Sequence, residues 1–435
     1  MKYYIKTFGC QMNVSDSERI SGFLEAKGYK SAQGLSEAAL AIFNTCGVRQ
    51  MAEDRVYGQI HNLRKAENAN PRLTPKTIIL TGCLANRADV QKRLKNKVDL
   101  FCEIKDFPKE FKKILKTTNH KLQTTAQENI AYLSISPKHK NNFSAYVPIM
   151  TGCNNFCAYC VVPYARGREV SRPAAEILAE IKSLIKKGYK EIILLGQNVN
   201  SYKDKKINFS QLLKKVDAIH GNFWIQFMSN HPKDVTDEMI ETVAKLPKVF
   251  ESFHLPIQAG SDEIIRKMNR KYTAKQYLTL VKKIKKAYQK YKPDLPFALT
   301  SDIIVGFPGE TKKQFMDSAK IMKLAKYDMV FFGQFSPRPG TAAWQMKDNI
   351  SKAEKVRREQ FLNEILKKTV HANNKKYVEQ VLDVLVENKK DDHYFGRTRT
   401  MKNVKIVATQ QNLIGKIVKA KITKANTWNL EGKLS

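Results

Sequence analysis

Two kinds of spacing alternate along the chain. Short continuous apolar runs, TIILTG and EIILLG among them, are separated by stretches in which apolar residues return every three or four positions. The first spacing predicts strands buried on both faces, and the second predicts amphipathic helices. Their alternation predicts an α/β chain with parallel sheets. In the first hundred residues one unit repeats. YYIKTFGC reads as a strand, followed by a helix over about Ser15–Lys27 with Ile20, Phe23 and Leu24 on one face. AALAIFNTCG reads as a second strand with a helix over about Arg49–Lys65, TIILTGC as a third strand with a helical stretch behind it, and VDLFCE as a fourth. Residues 104–142, rich in Lys, Thr, Asn and Gln, read as a short helix and a linker. From 143 to 372 the runs AYVPIMTG, EIILLG, FWIQFMS, VFESFHLPI, FALTSDIIVG and DMVFFGQF alternate with helices. Six such units suggest a (β/α) barrel or partial barrel rather than an open sheet, closed by a long charged helix over Lys352–Lys376. Over 373–435, KYVEQVLDVLVENK, HYFGRTRT, VKIVATQ and GKIVKAKITKAN are short alternating segments between turns, the pattern of a small antiparallel β-barrel. The expected division is therefore an N-terminal α/β domain (1–103), a linker (104–142), a barrel (143–372) and a C-terminal β-barrel (373–435).

Composition narrows the partner more than the fold. Of 435 residues, 42% are hydrophobic and 27% charged, ordinary for a globular chain. Lys and Arg number 76 against 41 Asp and Glu, a net +35, which predicts a polyanionic partner such as RNA. No apolar run approaches the roughly 18 residues of a membrane span, and MKYYIKTFGC is not a signal peptide. A soluble, cytoplasmic, monomeric protein is the expectation.

The cysteines carry the chemistry. There are 7, an odd count in a large chain without a signal, which argues against a disulfide framework. Cys153, Cys157 and Cys160 form C-x-x-x-C-x-x-C. Three thiolates on one loop can converge on an iron–sulfur cube and leave its fourth iron open for a small molecule. Zinc is the alternative, but it usually takes a fourth Cys or His. Cys10, Cys46 and Cys83 each follow a strand, at TFGC, FNTC and LTGC. In a parallel sheet the carboxyl ends of the strands share one edge, so these three can meet in space. Cys102 lies inside the fourth strand and reads as core.

The motifs TFGCQMNVSDSE, NTCGVR, TGCLA, GCNNFCAYCVVPYARGREVSRP, LLGQNVNSY, LPIQAGSD and GFPGET, taken together, closely resemble the methylthiotransferase family of radical S-adenosylmethionine (SAM) enzymes over essentially the whole chain. The resemblance implies a three-cysteine N-terminal domain, a partial radical-SAM barrel and a C-terminal TRAM domain. It implies that Cys10, Cys46 and Cys83 hold an auxiliary 4Fe-4S cluster, and that Cys153, Cys157 and Cys160, with Tyr159 as the aromatic of the motif, hold the 4Fe-4S cluster that binds SAM. It also implies a two-part reaction. One SAM methylates a sulfur at the auxiliary cluster; a second is cleaved to a radical that abstracts hydrogen from C2 of an adenine, which then takes the methylthio group. GCQMN at Gly9–Asn13 points to the branch that acts on N(6)-isopentenyladenosine in the tRNA anticodon stem-loop. Sister branches act on threonylcarbamoyladenosine in tRNA or on a ribosomal-protein aspartate. An electron donor such as a flavodoxin or ferredoxin is implied. A non-catalytic iron–sulfur RNA-binding protein is the reading from a different class.

Further candidates follow from position. Functional residues of a parallel barrel gather after the carboxyl ends of its strands. Gln197, Asn198 and Asn200 follow EIILLG, and Ser301 and Asp302 precede IIVGFPGE; Tyr159, Gln197, Asn198, Ser301 and Asp302 are candidate SAM contacts. His254 and Gln258 flank LPI, although a lone His is more often structural. GFPGE lacks the residues of a phosphate loop. Arg166 and Arg168 could pair with a SAM carboxylate or an RNA phosphate. In the C-terminal barrel, Phe395, Arg397, Arg399 and Lys402 mix an aromatic with positive charge, as RNA-binding faces do.

Overall fold

The computed structural model describes residues 1–48, 50–70, 74–117, 132–408 and 412–435. Its N-terminal domain runs β1 (Lys2–Phe8), α1 (Gln11–Ala26), β2 (Lys30–Ser31), β3 (Leu40–Thr45), α2 (Gln50–Ala69), β4 (Thr77–Gly82), α3 (Ala88–Leu94), β5 (Leu100–Cys102) and α4 (Phe107–Thr117). The sheet order is β2-β1-β3-β4-β5, with every pairing parallel. β3 is buried along its whole length, and separate apolar cores cover the two faces of the sheet. That is why its strands read as continuous apolar runs.

Two boundaries differ from expectation. α1 starts at Gln11, directly after Cys10, rather than near Ser15. Its polar residues Asn13, Ser15, Asp16, Ser17, Glu18 and Arg19 are buried, because this helix is pressed between its own sheet and the barrel. The stretch read as the start of a linker also packs into the domain. Phe107 and Phe111 of α4 stack at 5.6 Å and meet Phe23 edge-on, and Tyr132 and Ile135 join the same core. Residues 118–131 of that expected linker lie outside the described residues, as does Arg49.

The central domain contains β6 (Ser144–Pro148), β7 (Met150–Thr151), α5 (Val162–Arg166), β8 (Val170–Ser171), α6 (Ala174–Lys186), β9 (Glu191–Leu195), a small hairpin of β10 (Lys203–Asp204) and β11 (Ile207–Asn208), and α7 (Phe209–Asp217). It continues through β12 (Trp224–Phe227), α8 (Asp237–Lys245), β13 (Ser252–His254), α9 (Asp262–Lys267), α10 (Ala274–Tyr291), β14 (Ala298–Val305), α11 (Lys312–Ala325), β15 (Met329–Gln334) and α12 (Lys352–Lys375). β6, β9 and β12 form one parallel sheet and β13, β14 and β15 another, joined by a parallel bridge between Ile225 and Val249. The strands thus follow chain order around an arc. Among the described residues β6 and β15 do not pair, so the barrel is partial.

The C-terminal domain is a closed barrel in the order β16 (Val381–Lys390), β17 (His393–Thr398), β18 (Asn403–Val407), β20 (Leu430–Leu434) and β19 (Ile417–Ala425). Its pairings are antiparallel except β18 with β20, which is parallel. Residues 409–411, at the end of the expected strand VKIVATQ, lie outside the described residues. Among the described residues no helix is long and apolar enough to cross a membrane.

The N-terminal domain spans the open mouth of the partial barrel. On one side Met12 of α1 packs on Ile193 and Leu195 of β9, and Arg19 pairs with Glu180 of α6 at 3.0 Å. On the other, Arg338, just beyond β15, donates to the Val48 carbonyl at 2.9 Å and pairs with Glu53 of α2 at 3.3 Å.

Candidate active site

Sheet register assembles the first cysteine trio. Phe8 pairs with Thr45, and Thr45 with Gly82, so β1, β3 and β4 end level with one another. The Cys46 amide donates to the Phe8 carbonyl at 2.8 Å, and that of Cys83 to the Thr45 carbonyl at 2.9 Å. Cys10 caps α1 and donates its N–H to Asn13 Oδ1 at 3.2 Å. Asn13 in turn donates to Asn44 Oδ1 at 3.1 Å, and Asn44 donates to the Asn13 carbonyl and to Ser17 Oγ. This buried amide pair fixes the Cys10 turn against the strand that ends at Cys46. The backbone approaches are tight. A Cβ on Gly9 (φ +147°) would fall 2.7 Å from Cys46 Cβ, and one on Gly82 (φ +89°) would fall 2.5 Å from Asn44 Oδ1. Only glycine fits either place. Cys102 sits in the core of β5, where burial pushes its thiol up to about 12.

The second trio lies on the loop between β7 and α5. Cys160 N–H donates to the Cys157 carbonyl at 2.9 Å, and Asn155 donates to Cys153 Sγ at 3.5 Å. Burial pushes the Cys160 thiol up to about 12, and its charge neighbours are Cys157, Cys153 and, from the other trio, Cys83. Arg166, in the last turn of α5 behind Cys160, reaches Asp16 of the helix that Cys10 caps, so the two trios lie at one domain contact. Arg270, not among the candidates read from the sequence, is buried beside the second trio. It donates to Cys157 Sγ at 3.7 Å and to Tyr159 Oη at 3.1 Å, and is held by the Pro256 carbonyl and Tyr272 Oη. Tyr272 meets the buried His231 ring edge-on at 5.8 Å. Among the described residues no three His, Cys, Asp or Glu side chains converge on the position of a single metal ion. Two all-cysteine sets of three fit the donor chemistry of iron–sulfur cubes, for which Cys is the usual ligand.

Strand ends carry unpaired polar groups. Asn198 donates to Asp234 at 2.8 Å, but its Oδ1, Gln197 Oε1 and Asn230 Oδ1 are buried without a partner among the described residues. Buried orphan acceptors are costly, and a ligand that brings donors would satisfy them. Asn200 is spent on the His231 backbone. Asp302 lies 3.3 Å from His254 Nε2, and Thr300 Oγ1 lies 2.9 Å from the other ring nitrogen. Gln258 adopts φ +73° at the end of the LPI segment. Ser301 departs from expectation: its hydroxyl is fully buried, accepts from Ile257 N–H and donates to the Leu255 carbonyl, and so is committed to the barrel wall.

Comparison with known proteins places these parts in one lineage. Residues 147–322 match the Radical SAM superfamily, residues 375–435 the TRAM domain, and residues 2–103 the Uncharacterized protein family UPF0004. A tRNA-2-methylthio-N(6)-dimethylallyladenosine synthase of Clostridium botulinum is 43% identical, over 99% of this chain and 96% of its own. The protein of that name from Thermoanaerobacter pseudethanolicus is 40% identical, over 99% and 92%. The chain belongs to this synthase family. The radical SAM methyltransferase TsrM of Kitasatospora setae shares the fold, with TM-score 0.53 at 12% identity over 79% of this chain and 74% of its own.

Against that family frame the expected RNA contacts need revision. Arg166 is buried and paired with Asp16 of α1 at 2.6 Å, with Cys83 among the charges it feels, so it locks the N-terminal domain to the cluster loop rather than meeting phosphate. Arg168 stays exposed, 4.4 Å over the Phe156 ring. In the TRAM domain, Phe395 is half-buried. Arg397, Arg399 and Lys402 instead plug the floor of the radical-SAM barrel. Arg397 pairs with Glu191 at 3.1 Å, Arg399 with Glu251 at 2.8 Å and Lys402 with Asp328 at 3.0 Å. Each carboxylate stands at the amino end of a different barrel strand: β9, β13 and β15. A signal existed in the sequence, since EIILLG and DMVFFGQF each open on an acid, and VFESFHLPI carries one ahead of its strand. A buried acid needs a partner. GFPGE is likewise structural: Glu310 pairs with Arg358 of α12 at 2.7 Å.

Proposed function

We propose that this chain methylthiolates C2 of N(6)-isopentenyladenosine at position 37 of tRNA. The observation that carries the reading is the meeting of two cysteine trios from different domains at one mouth, where Arg166 beside the cluster loop pairs with Asp16 of the helix that Cys10 caps. Radical chemistry suits the target, because an aryl C–H has neither useful acidity nor a leaving group.

When bound, two 4Fe-4S clusters and SAM supply the radical and the methylthio group. Cys153, Cys157 and Cys160 would hold the SAM cluster, and Cys10, Cys46 and Cys83 the auxiliary one. The chain's own residues position and shield. Arg270 sets a fixed positive charge against Cys157 and orients Tyr159. Gln197, Asn198 and Asn230 offer acceptors to the donors of SAM, and Asp302, held by His254, offers a carboxylate oxygen. α1 closes one side of the mouth and the Arg338 clasp the other, so a base entering between the trios is held on both faces. Arg168 beside Phe156 fits an RNA phosphate, and exposed Trp428 on the β19–β20 hairpin offers a face on which a base can stack, with Phe395 a further stacking candidate. The enzyme works as a cytoplasmic monomer supplied by a one-electron donor of the flavodoxin or ferredoxin type.

The test is mass spectrometry of tRNA nucleosides from a methylthiotransferase-deficient host expressing the chain. Appearance of 2-methylthio-isopentenyladenosine is expected. Only the 2-methylthio-threonylcarbamoyl product would overturn the substrate and keep the mechanism; neither product, with both clusters intact, would overturn the reading.

A further inference from the structure

The peptide between two ligands of the SAM cluster is laced to the outer surface. Ala158 lies between Cys157 and Cys160; its N–H donates to the Met268 carbonyl at 2.9 Å, and its carbonyl accepts from Ala343 N–H at 2.7 Å. Met268 closes α9, and Ala343 belongs to the turn after β15. The next residue, Trp344, is 46% exposed. Arg266, Lys267 and Lys271 flank Met268 in the chain, and Lys347 follows Trp344 in the chain; all four are exposed. The nearby acids are taken: Glu263 holds Lys267 at 2.8 Å, and Asp348 holds Lys355 at 2.6 Å. Among the described residues no salt bridge occupies Arg266, Lys271 or Lys347.

We propose that this face docks an acidic one-electron carrier protein, with Trp344 as its apolar anchor and Arg266, Lys271 and Lys347 as its steering cations. The proposal rests on the radical SAM reading, in which each SAM cleavage consumes one electron. The carrier loses one electron and the cluster held by Cys157 gains it; no bond is made or broken in the carrier. Electron transfer falls steeply with distance, and the inner side of the cluster loop faces SAM and substrate. From the outer side, the path from Trp344 through Ala343 to Ala158 and Cys157 crosses one hydrogen bond. Redox encounters use small interfaces, under about 1,200 Å², and rely on complementary charge for speed rather than on area. Exposed cations on both segments that hold Ala158, with one exposed indole beside Ala343, fit that description. A tRNA would need charge that tracks its backbone.

The test uses the holoenzyme with both clusters, Trp344→Ala and the double reversal Lys271→Glu/Lys347→Glu. Formation of 5′-deoxyadenosine is driven either by a flavodoxin hydroquinone or by dithionite, at low and high salt, and tRNA affinity is measured alongside. The flavodoxin-driven rate should fall about tenfold or more at low salt and lose its salt dependence in the double reversal. Dithionite-driven cleavage and tRNA affinity should stay unchanged. Equal losses with both reductants, a loss confined to tRNA affinity, or an unchanged flavodoxin rate would each overturn the proposal. Failure of the wild-type holoenzyme to cleave SAM with dithionite would instead overturn the functional reading beneath it.

Discussion

The two cysteine trios reach the same donor set by opposite means. Cys153, Cys157 and Cys160 share one loop, so chain connectivity alone keeps them near. Cys10, Cys46 and Cys83 come from three strands and meet only because β1, β3 and β4 end in register. The loop trio is supported electrostatically, by Arg270 and Asn155. The sheet trio is supported sterically, by backbone at Gly9 and Gly82 that no side chain could share, and by the Asn13–Asn44 pair. A site built on a loop is sensitive to charge nearby; one built on a sheet is sensitive to the sheet.

The sharpest separation of the two comes from removing a ligand from each. Cys157→Ala and Cys83→Ala should each lose about half the iron, the content of one cube. The first should abolish 5′-deoxyadenosine formation; the second should retain it while losing the methylthio product. Iron and sulfide counts with product analysis check this, and loss of all iron in either variant would show that the trios are not independent. Gly82→Ala comes next. Its Cβ would crowd Asn44 Oδ1 and the Thr45 carbonyl, each at 2.5 Å, on a left-handed backbone. A cost of about 2–3 kcal/mol is expected, read as a lower Tm together with loss of iron from the sheet trio alone. Arg270→Gln should act on the loop trio alone, cutting its reduction by about tenfold at full iron content, as followed by the EPR signal of the reduced cluster. Arg270→Lys should not rescue it, since one ammonium cannot serve Cys157, Tyr159, Tyr272 and the Pro256 carbonyl together.

The smallest effect concerns pH. Burial pushes His231, which packs on the loop-trio side against Tyr272, down to about 2. Between its ordinary value near 6.5 and about 2, the unfolded chain takes a proton that the folded chain refuses. Stability from this residue is therefore full above about pH 6.5 and is lost as pH falls, by at most about 1.4 kcal/mol per pH unit. His231→Asn keeps an acceptor for the Lys233 amide and removes the titration. Unfolding free energy should then fall less steeply between about pH 6.5 and 5; an unaltered slope would exclude His231 as the cause.

The main parallel strands, the partial barrel and four of the five strands of the C-terminal barrel were legible in the sequence, because strands leave apolar runs or alternations; the short β2, β8, β10 and β11 and the fifth barrel strand β20 were not. Neither was the polar face of α1. Asp16 and Arg19 are buried because another domain covers them, and polarity along one helix carries no trace of a distant partner. Arg270 was hidden for the same reason, as one cation among many. Arg397 and Arg399 were read as cations free for RNA, because the sequence says nothing about the barrel floor that covers them.

The floor of the barrel has a consequence for anyone who would re-engineer substrate choice. A C-terminal domain that merely gripped RNA could be exchanged for another like a tool on a handle. Here, removing it would strand Glu191, Glu251 and Asp328 beneath the catalytic barrel; Lys292 would still reach Glu251, but the other two would lose their only ion-pair partners among the described residues. Any transplanted domain must bring its own three cations to those places, so the part that invites retargeting is also the keystone of the part that does the chemistry.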